Sequence, residues 1–330
     1  MPVLAAFLLA FIPALLYAAW LYWLDHYEKE PKLLLGGVFV WGALVAAGGA
    51  WLVNTLFGIS VYLVTSSEIA ADMFTGSIVA PLSEETLKGL AVLLVFLVFR
   101  KEFDSVLDGI VYAGIVALGF AATENVLYMY ERGFLEDGWE GLWFVFGLRV
   151  ILGAWNHPLY TAFTGIGLAV ARLNRNTLVR LGAPVLGWFM AVCVHSLHNT
   201  LASFVSGLGG LAAVFLVDWV GWLFMGLIIF ISLRRERAWI QIQLKDEVES
   251  GVLSVAQYQT ATSAGRRALA QLSALTDGRF GNTRRFYRLI TDLAYTKHQL
   301  AQVGESAANS PQMVADLRQK AAALAARAAA

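Results

Sequence analysis

"VAPLSEETLKGLAVLLVFLVF", residues 79–99, is the stretch on which the reading of this chain turns. It is apolar enough to sit in lipid, yet it opens with Glu84, Glu85 and Lys88. A charge inside a membrane helix costs at least a few kcal/mol unless it is paired, hydrated or liganded, so these three need a reason to be there.

The surroundings are apolar throughout. Of 330 residues, 58% are hydrophobic and 15% charged, with a mean hydropathy of +0.63. Such a balance excludes a soluble domain of this size and defines a polytopic membrane protein. Seven stretches reach the roughly 20 apolar residues that one crossing requires: 2–23, 33–57, 73–99, 106–130, 142–171, 181–206 and 211–233. The expected fold is all-α, a membrane helical bundle of about seven transmembrane helices with a helical cytoplasmic tail. The first span has no positive leader and is longer than the apolar core of a signal peptide, so it reads as a retained helix. A lone cysteine, Cys193, offers no disulfide.

Net charge is zero, but its distribution is uneven. Lys29 and Lys32, Arg100 and Lys101, and Arg172, Arg175 and Arg180 occupy alternate loops, and basic residues are dense after Arg234, whereas the opposite loops hold only Arg132. The positive-inside rule then puts the N-terminus outside and the C-terminus in the cytoplasm. Composition divides the chain into a membrane domain, 1–234, and a tail, 235–330. In the tail, Phe286, Leu289, Ile290, Leu293, Ala294 and Leu300 fall on one face of an amphipathic helix, and the final alanine-rich stretch is expected to fray. The loop "YWLDHYEKEPKLLL" reads as a polar hairpin. With no Gly-rich phosphate loop and no basic aromatic patch, nucleic acid is not expected as a partner; the lipid bilayer is.

Further polar groups lie inside the spans: Glu124, Asn125, His157, His195, His198, Asn199 and Asp218. Counting from the cytoplasmic end of each span at about 1.5 Å per residue puts Glu85, Glu124, His157, His195 and Asp218 between about 21 and 27 Å deep, in one layer nearer the outer face. Residues three or four apart share a helix face, so Glu84 and Glu85 both reach Lys88, and His195 reaches His198 and Asn199. Adjacent glutamates are about 100° apart around the axis, so only one of them can point squarely at a shared centre.

Carboxylates with imidazoles suit hydrolysis inside a membrane, which needs a held water, a base and a group to meet the developing oxyanion. Zinc would bind through His nitrogens and a carboxylate, leaving one position for water. The chain has neither HExxH nor GxSxG, so any ligands come from separate helices and a serine hydrolase is not expected. The same residues would also serve a metal-free glutamate enzyme, a proton-coupled transporter or a non-catalytic scaffold.

Particular motifs sharpen this. "DHYEKEP" at 25–31, "APLSEETLKG" around Glu84, Glu85 and Lys88, "FAATEN" with Phe120, Glu124 and Asn125, "NHPLYTAFTGIGLA" around His157, and "HSLHNT" with His195 and Asn199 occur in one order. Together they resemble the PrsW family of bacterial intramembrane proteases, distantly related to the CAAX prenyl protease group. The resemblance implies a multi-pass protein of the bacterial inner membrane that cleaves a membrane protein, in the best-known family role an anti-sigma factor. Glu124 stands where the wider group's FxxxH motif has histidine, and His157 is expected to take that role. The resulting expectation is Glu84, Glu85 and Lys88 as catalytic groups, Glu124, His157 and His195 as ligands of a divalent metal, most simply zinc, and Asn125, His198, Asn199 and Asp218 in support.

Overall fold

In a bilayer every backbone N–H and C=O must be satisfied within the protein, which favours helices. The computed structural model describes all residues except 26, 28, 205–206, 306–309 and 329–330, and it has no strand among them. His26 and Glu28 of the 25–31 motif therefore lie outside the described residues.

The chain forms two compact units. The first contains α1 (Pro2–Leu24), α2 (Lys32–Val40), α3 (Ala47–Thr65), α4 (Glu68–Phe74), α5 (Ala80–Val98), α6 (Val106–Tyr128), α7 (Leu135–Val145), α8 (Asn156–Arg172) and α9 (Thr177–Phe204), and the first part of α10 (Gly207–Gln243). Four π-helical segments, Trp41–Ala46, Thr75–Val79, Met129–Phe134 and Phe146–Leu152, interrupt the series among the described residues. Five helical stretches are long and apolar enough to cross a membrane: Pro2–Leu24, Lys32–Thr65, Val106–Arg172, Thr177–Phe204 and Gly207–Glu249. The third of these has 67 residues and includes two of the expected spans. The remaining expected span is α5 with the turns before it, set apart by its three charges. The all-α membrane bundle is thus the fold of this chain.

One expected span is corrected. Residues 142–171 do not make one helix: α7 ends at Val145, the π segment runs to Leu152, and α8 starts afresh at Asn156. Pro158 explains the restart, because a proline lacks the N–H of a helix interior and clashes with the preceding turn, yet is well placed in a first turn. His157 consequently lies at the head of a helix.

At the centre is α6, buried along nearly its whole length. Its start is fixed by a capping box: the Ser105 hydroxyl accepts from the amides of Leu107 and Asp108, while Asp108 Oδ2 accepts from the Ser105 amide at 2.6 Å. Against α8 the two backbones touch. A side chain at Gly109 would run into the Gly165 carbonyl, and one at Gly165 into that of Gly109. Lipid supplies no hydrophobic drive between helices, so close backbone approach at small residues provides the packing.

The second unit comprises Asp25–Lys29, Leu173–Asn176 and the chain from Ile229. Its helices after α10 are α11 (Lys245–Glu249), α12 (Val255–Ala261), α13 (Ala264–Thr276), α14 (Phe280–Val303) and α15 (Pro311–Ala325). Phe286, Ile290 and Ala294 of α14 enter a core with Ile240, Leu244, Leu253 and Ala321, following the amphipathic pattern. The alanine-rich end is ordered as far as α15 extends, and Ala321 is buried. The polar-hairpin reading of the first loop is corrected: Tyr27 belongs to this core, and the guanidinium of Arg267 donates to its carbonyl at 3.2 Å.

Candidate active site

The two adjacent glutamates of α5 have different surroundings. Glu85 is fully buried and fully used: Lys88 Nζ lies 2.5 Å from Oε1, His195 Nδ1 lies 2.9 Å from the same oxygen, and the Thr161 hydroxyl donates to Oε2 at 2.8 Å. Glu84, one position earlier, turns onto a cavity. Its Oε2 is buried and makes no hydrogen bond; the nearest charge partners are Lys88 Nζ at 3.7 Å and His195 Nε2 at 3.8 Å. The 100° between neighbouring residues thus separates a carboxylate that faces the cavity from one engaged by its neighbours.

A carboxylate only accepts, so the hydrogen of His195 is on Nδ1, facing Glu85, and its Nε2 lone pair faces Glu84. Two electron-rich atoms therefore look at one another across 3.8 Å. The same logic fixes His157. Lys88 Nζ, donor only, lies 3.3 Å from Nδ1, so the ring's hydrogen is on Nε2, 2.9 Å from Glu124 Oε2. Lys88 also lies over the Phe120 ring at 4.4 Å.

The same Glu124 oxygen, Oε2, also forms a close ion pair with Arg149. Arg149 Nε donates to Asn125 Oδ1 at 2.9 Å, and its guanidinium stacks over Tyr128 at 3.8 Å. All three partners belong to the last turns of α6, while Arg149 comes from the π segment before α8. Arg149 was not among the expected residues. The rule that singled out Glu84 applies equally to it, an arginine within an apolar stretch.

On α9, Asn199 Nδ2 donates to the Gly76 carbonyl at 2.9 Å, and the Ser196 hydroxyl donates to that of Ser77. Both carbonyls lie in the π segment leading into α5, so α9 anchors the turn that presents Glu84. His198 Nδ1 and Asp218 Oδ1 are 2.9 Å apart, and Asn156 Nδ2 donates to Asp218 Oδ2 at 2.9 Å. Tyr160 stacks on His195, centroids 4.6 Å apart. Asn156, Tyr160 and Thr161 were also not anticipated, since apolar helices commonly carry such residues.

A cavity of about 740 Å³ is lined by Glu84, Glu124, Arg149, His157, His195 and His198, among others. Ligand atoms of Glu84, His157 and His195 lie within 4.8 Å of one another. This trio shares His157 and His195 with the expected set, whose third member, Glu124, forms an ion pair with Arg149. Two imidazoles and a carboxylate make a donor set typical of a catalytic zinc. The unbonded Glu84 Oε2 facing the His195 lone pair fits a cation, and Glu85 anchors His195 from behind as metal-bound histidines usually require.

Fold and site together define a helical membrane protein with a buried carboxylate–imidazole centre. Residues 30–232 match the family described as "PrsW family intramembrane metalloprotease", and the chain belongs to that family. Three similar proteins bear the name Protease PrsW. That of Clostridioides difficile is 37% identical over 126 residues, 38% of this chain and 51% of its own length. That of Geobacillus kaustophilus is 33% identical over 160 residues, 48% of this chain and 64% of its own length. That of Oceanobacillus iheyensis is 27% identical over 192 residues, 57% of this chain and 78% of its own length. The first two matches thus span about half to under two thirds of those relatives. No solved structure matches the chain.

Proposed function

We propose that this chain hydrolyses a peptide bond of a membrane protein, in or near its transmembrane segment, and that Glu84 is the working carboxylate. The observation that carries this is the unbonded Glu84 Oε2 set 3.8 Å from the His195 Nε2 lone pair in a cavity inside a membrane bundle. A water between two acceptors is held by both its hydrogens, which leaves its oxygen lone pairs directed at an incoming carbonyl carbon. Glu84 takes a proton as the oxygen–carbon bond forms and returns it to the departing amine as the carbon–nitrogen bond breaks. Glu85, fixed by Lys88 and Thr161, keeps His195 in the tautomer that accepts. Glu124, fixed by Arg149, orients His157.

A divalent metal, most simply zinc, would be held by Glu84, His157 and His195, and would lower the pKa of its bound water toward about 7. The metal-free reading has its own support: the His157 lone pair on Nδ1 already accepts from Lys88 at 3.3 Å. Metal analysis of the purified protein, with cleavage measured before and after chelation, separates the two. In either case Glu84→Gln abolishes cleavage with the helical content and thermal unfolding of the native protein. Membrane proteomes from cells carrying wild type or Glu84→Gln check this, the expected difference being a fragment of a single-pass protein, of the anti-sigma-factor kind by resemblance. Equal fragments from both would refute the role of Glu84.

The membrane placement follows the charges, with an outside N-terminus, a cytoplasmic C-terminus and the bacterial inner membrane as the site. Supporting this, Asp25–Lys29, Leu173–Asn176 and the chain from Ile229 fold together in one unit, as segments on a single side must.

A further inference from the structure

Two more buried polar atoms near Glu84 make no hydrogen bond: Asn156 Oδ1 and the Tyr160 hydroxyl. Both residues are over nine-tenths buried, at 7% and 1% exposure, and both line the cavity. They are four residues apart on α8, hence on one face. The orientation of Asn156 is not arbitrary. Asp218 only accepts, so the amide NH₂ must face Asp218 Oδ2 and the carbonyl oxygen must face away from it. Asp218 is itself kept in place by His198. Tyr160 is fixed by its stack on His195 and by edge contact with His157, centroids 5.9 Å apart.

An unmade hydrogen bond at a buried donor or acceptor costs about 1–3 kcal/mol, so two such groups side by side are an expense that a ligand would remove. One acceptor and one donor on a single helix face match one residue of an extended chain, whose own N–H and C=O point to the same side, as they do in a β-ladder. We propose that Asn156 and Tyr160 form a main-chain subsite that grips one residue of an unwound substrate strand beside Glu84. The substrate N–H donates to Asn156 Oδ1, and the substrate carbonyl accepts from the Tyr160 hydroxyl. The subsite rests on the protease reading and deepens it: the occupant is extended polypeptide, recognised by its backbone. Side-chain identity at that residue is left open to the rest of the cavity.

The test uses full-length protein in detergent and a labelled single-pass peptide of about 20 apolar residues with a Gly-rich centre that can extend. Tyr160→Phe keeps the ring and removes only the hydroxyl. It should lower kcat/KM about 3- to 10-fold, the value of one neutral hydrogen bond. It should leave thermal unfolding unchanged or raised, because no protein partner is lost. Binding gives a second readout independent of turnover: the peptide should bind Glu84→Gln/Tyr160→Phe about 3- to 10-fold more weakly than Glu84→Gln alone. Equal binding and equal cleavage with and without the hydroxyl overturn the subsite. If wild type cleaves nothing, the protease reading fails, while the binding comparison still decides whether Asn156 and Tyr160 hold main chain.

Discussion

At the residue scale, the site is a set of acids whose jobs are assigned by neighbours. Arg149 is the sharpest case. Arg149→Gln leaves Glu124 charged with only His157 to meet it, and should cost about 2 kcal/mol of stability, less than the roughly 3–5 of a wholly buried pair because both side chains are partly exposed. Arg149→Lys keeps the charge but not the fork that spans Glu124 and Asn125. It should therefore recover stability in thermal unfolding while cleavage stays depressed. The presence of Glu84, Glu85 and Lys88 was legible because three charges in an apolar run stand out. Which glutamate faces the cavity was not, since that depends on the rotation of α5 against α8 and α9. Tyr160 could not be singled out either: an aromatic in a membrane span is ordinary, and only three-dimensional surroundings show that its hydroxyl has no partner.

At the scale of elements, the most exacting contact is that between α6 and α8. Gly165→Ala should destabilise by about 1–3 kcal/mol, the usual cost of overpacking, because its methyl meets the Gly109 carbonyl. Gly182→Ala on α9, where the added methyl meets nothing within 4 Å, is the control, and melting temperatures of the two compare them. The long helices were legible from apolar length alone. The break before Asn156 was not, because 142–171 is apolar enough to read as one span, and the proline that forces the restart lies at its far side. Four π segments were equally hidden, being backbone adjustments that leave little trace in composition. They matter here, because two of them carry Arg149 and the carbonyls gripped by α9.

At the scale of the whole molecule, the second unit has its own electrostatics. Glu247 is buried, which alone would raise its pKa, but hydrogen bonds from Arg318 at 2.7 Å and Lys297 at 2.9 Å outweigh that and hold it below the usual carboxylate range. A depressed pKa in the folded state means stability that is present above the unfolded value of about 4.3 and lost as pH falls through the folded one. Unfolding of the tail, followed by hydrogen exchange in the full-length protein, should therefore ease below about pH 4. Glu247→Gln should flatten that dependence and lower stability near neutrality by about 2 kcal/mol.

The place of Tyr27 in the second unit bears on the order of biosynthesis. Tyr27 leaves the ribosome some 240 positions before Arg267, which donates to its carbonyl, and some 260 before Tyr287, whose carbonyl Arg267 also engages at 3.4 Å. Until those two are translated the stretch around Tyr27 has no such clasp, so this clasp can close only after the helices between them have been synthesised.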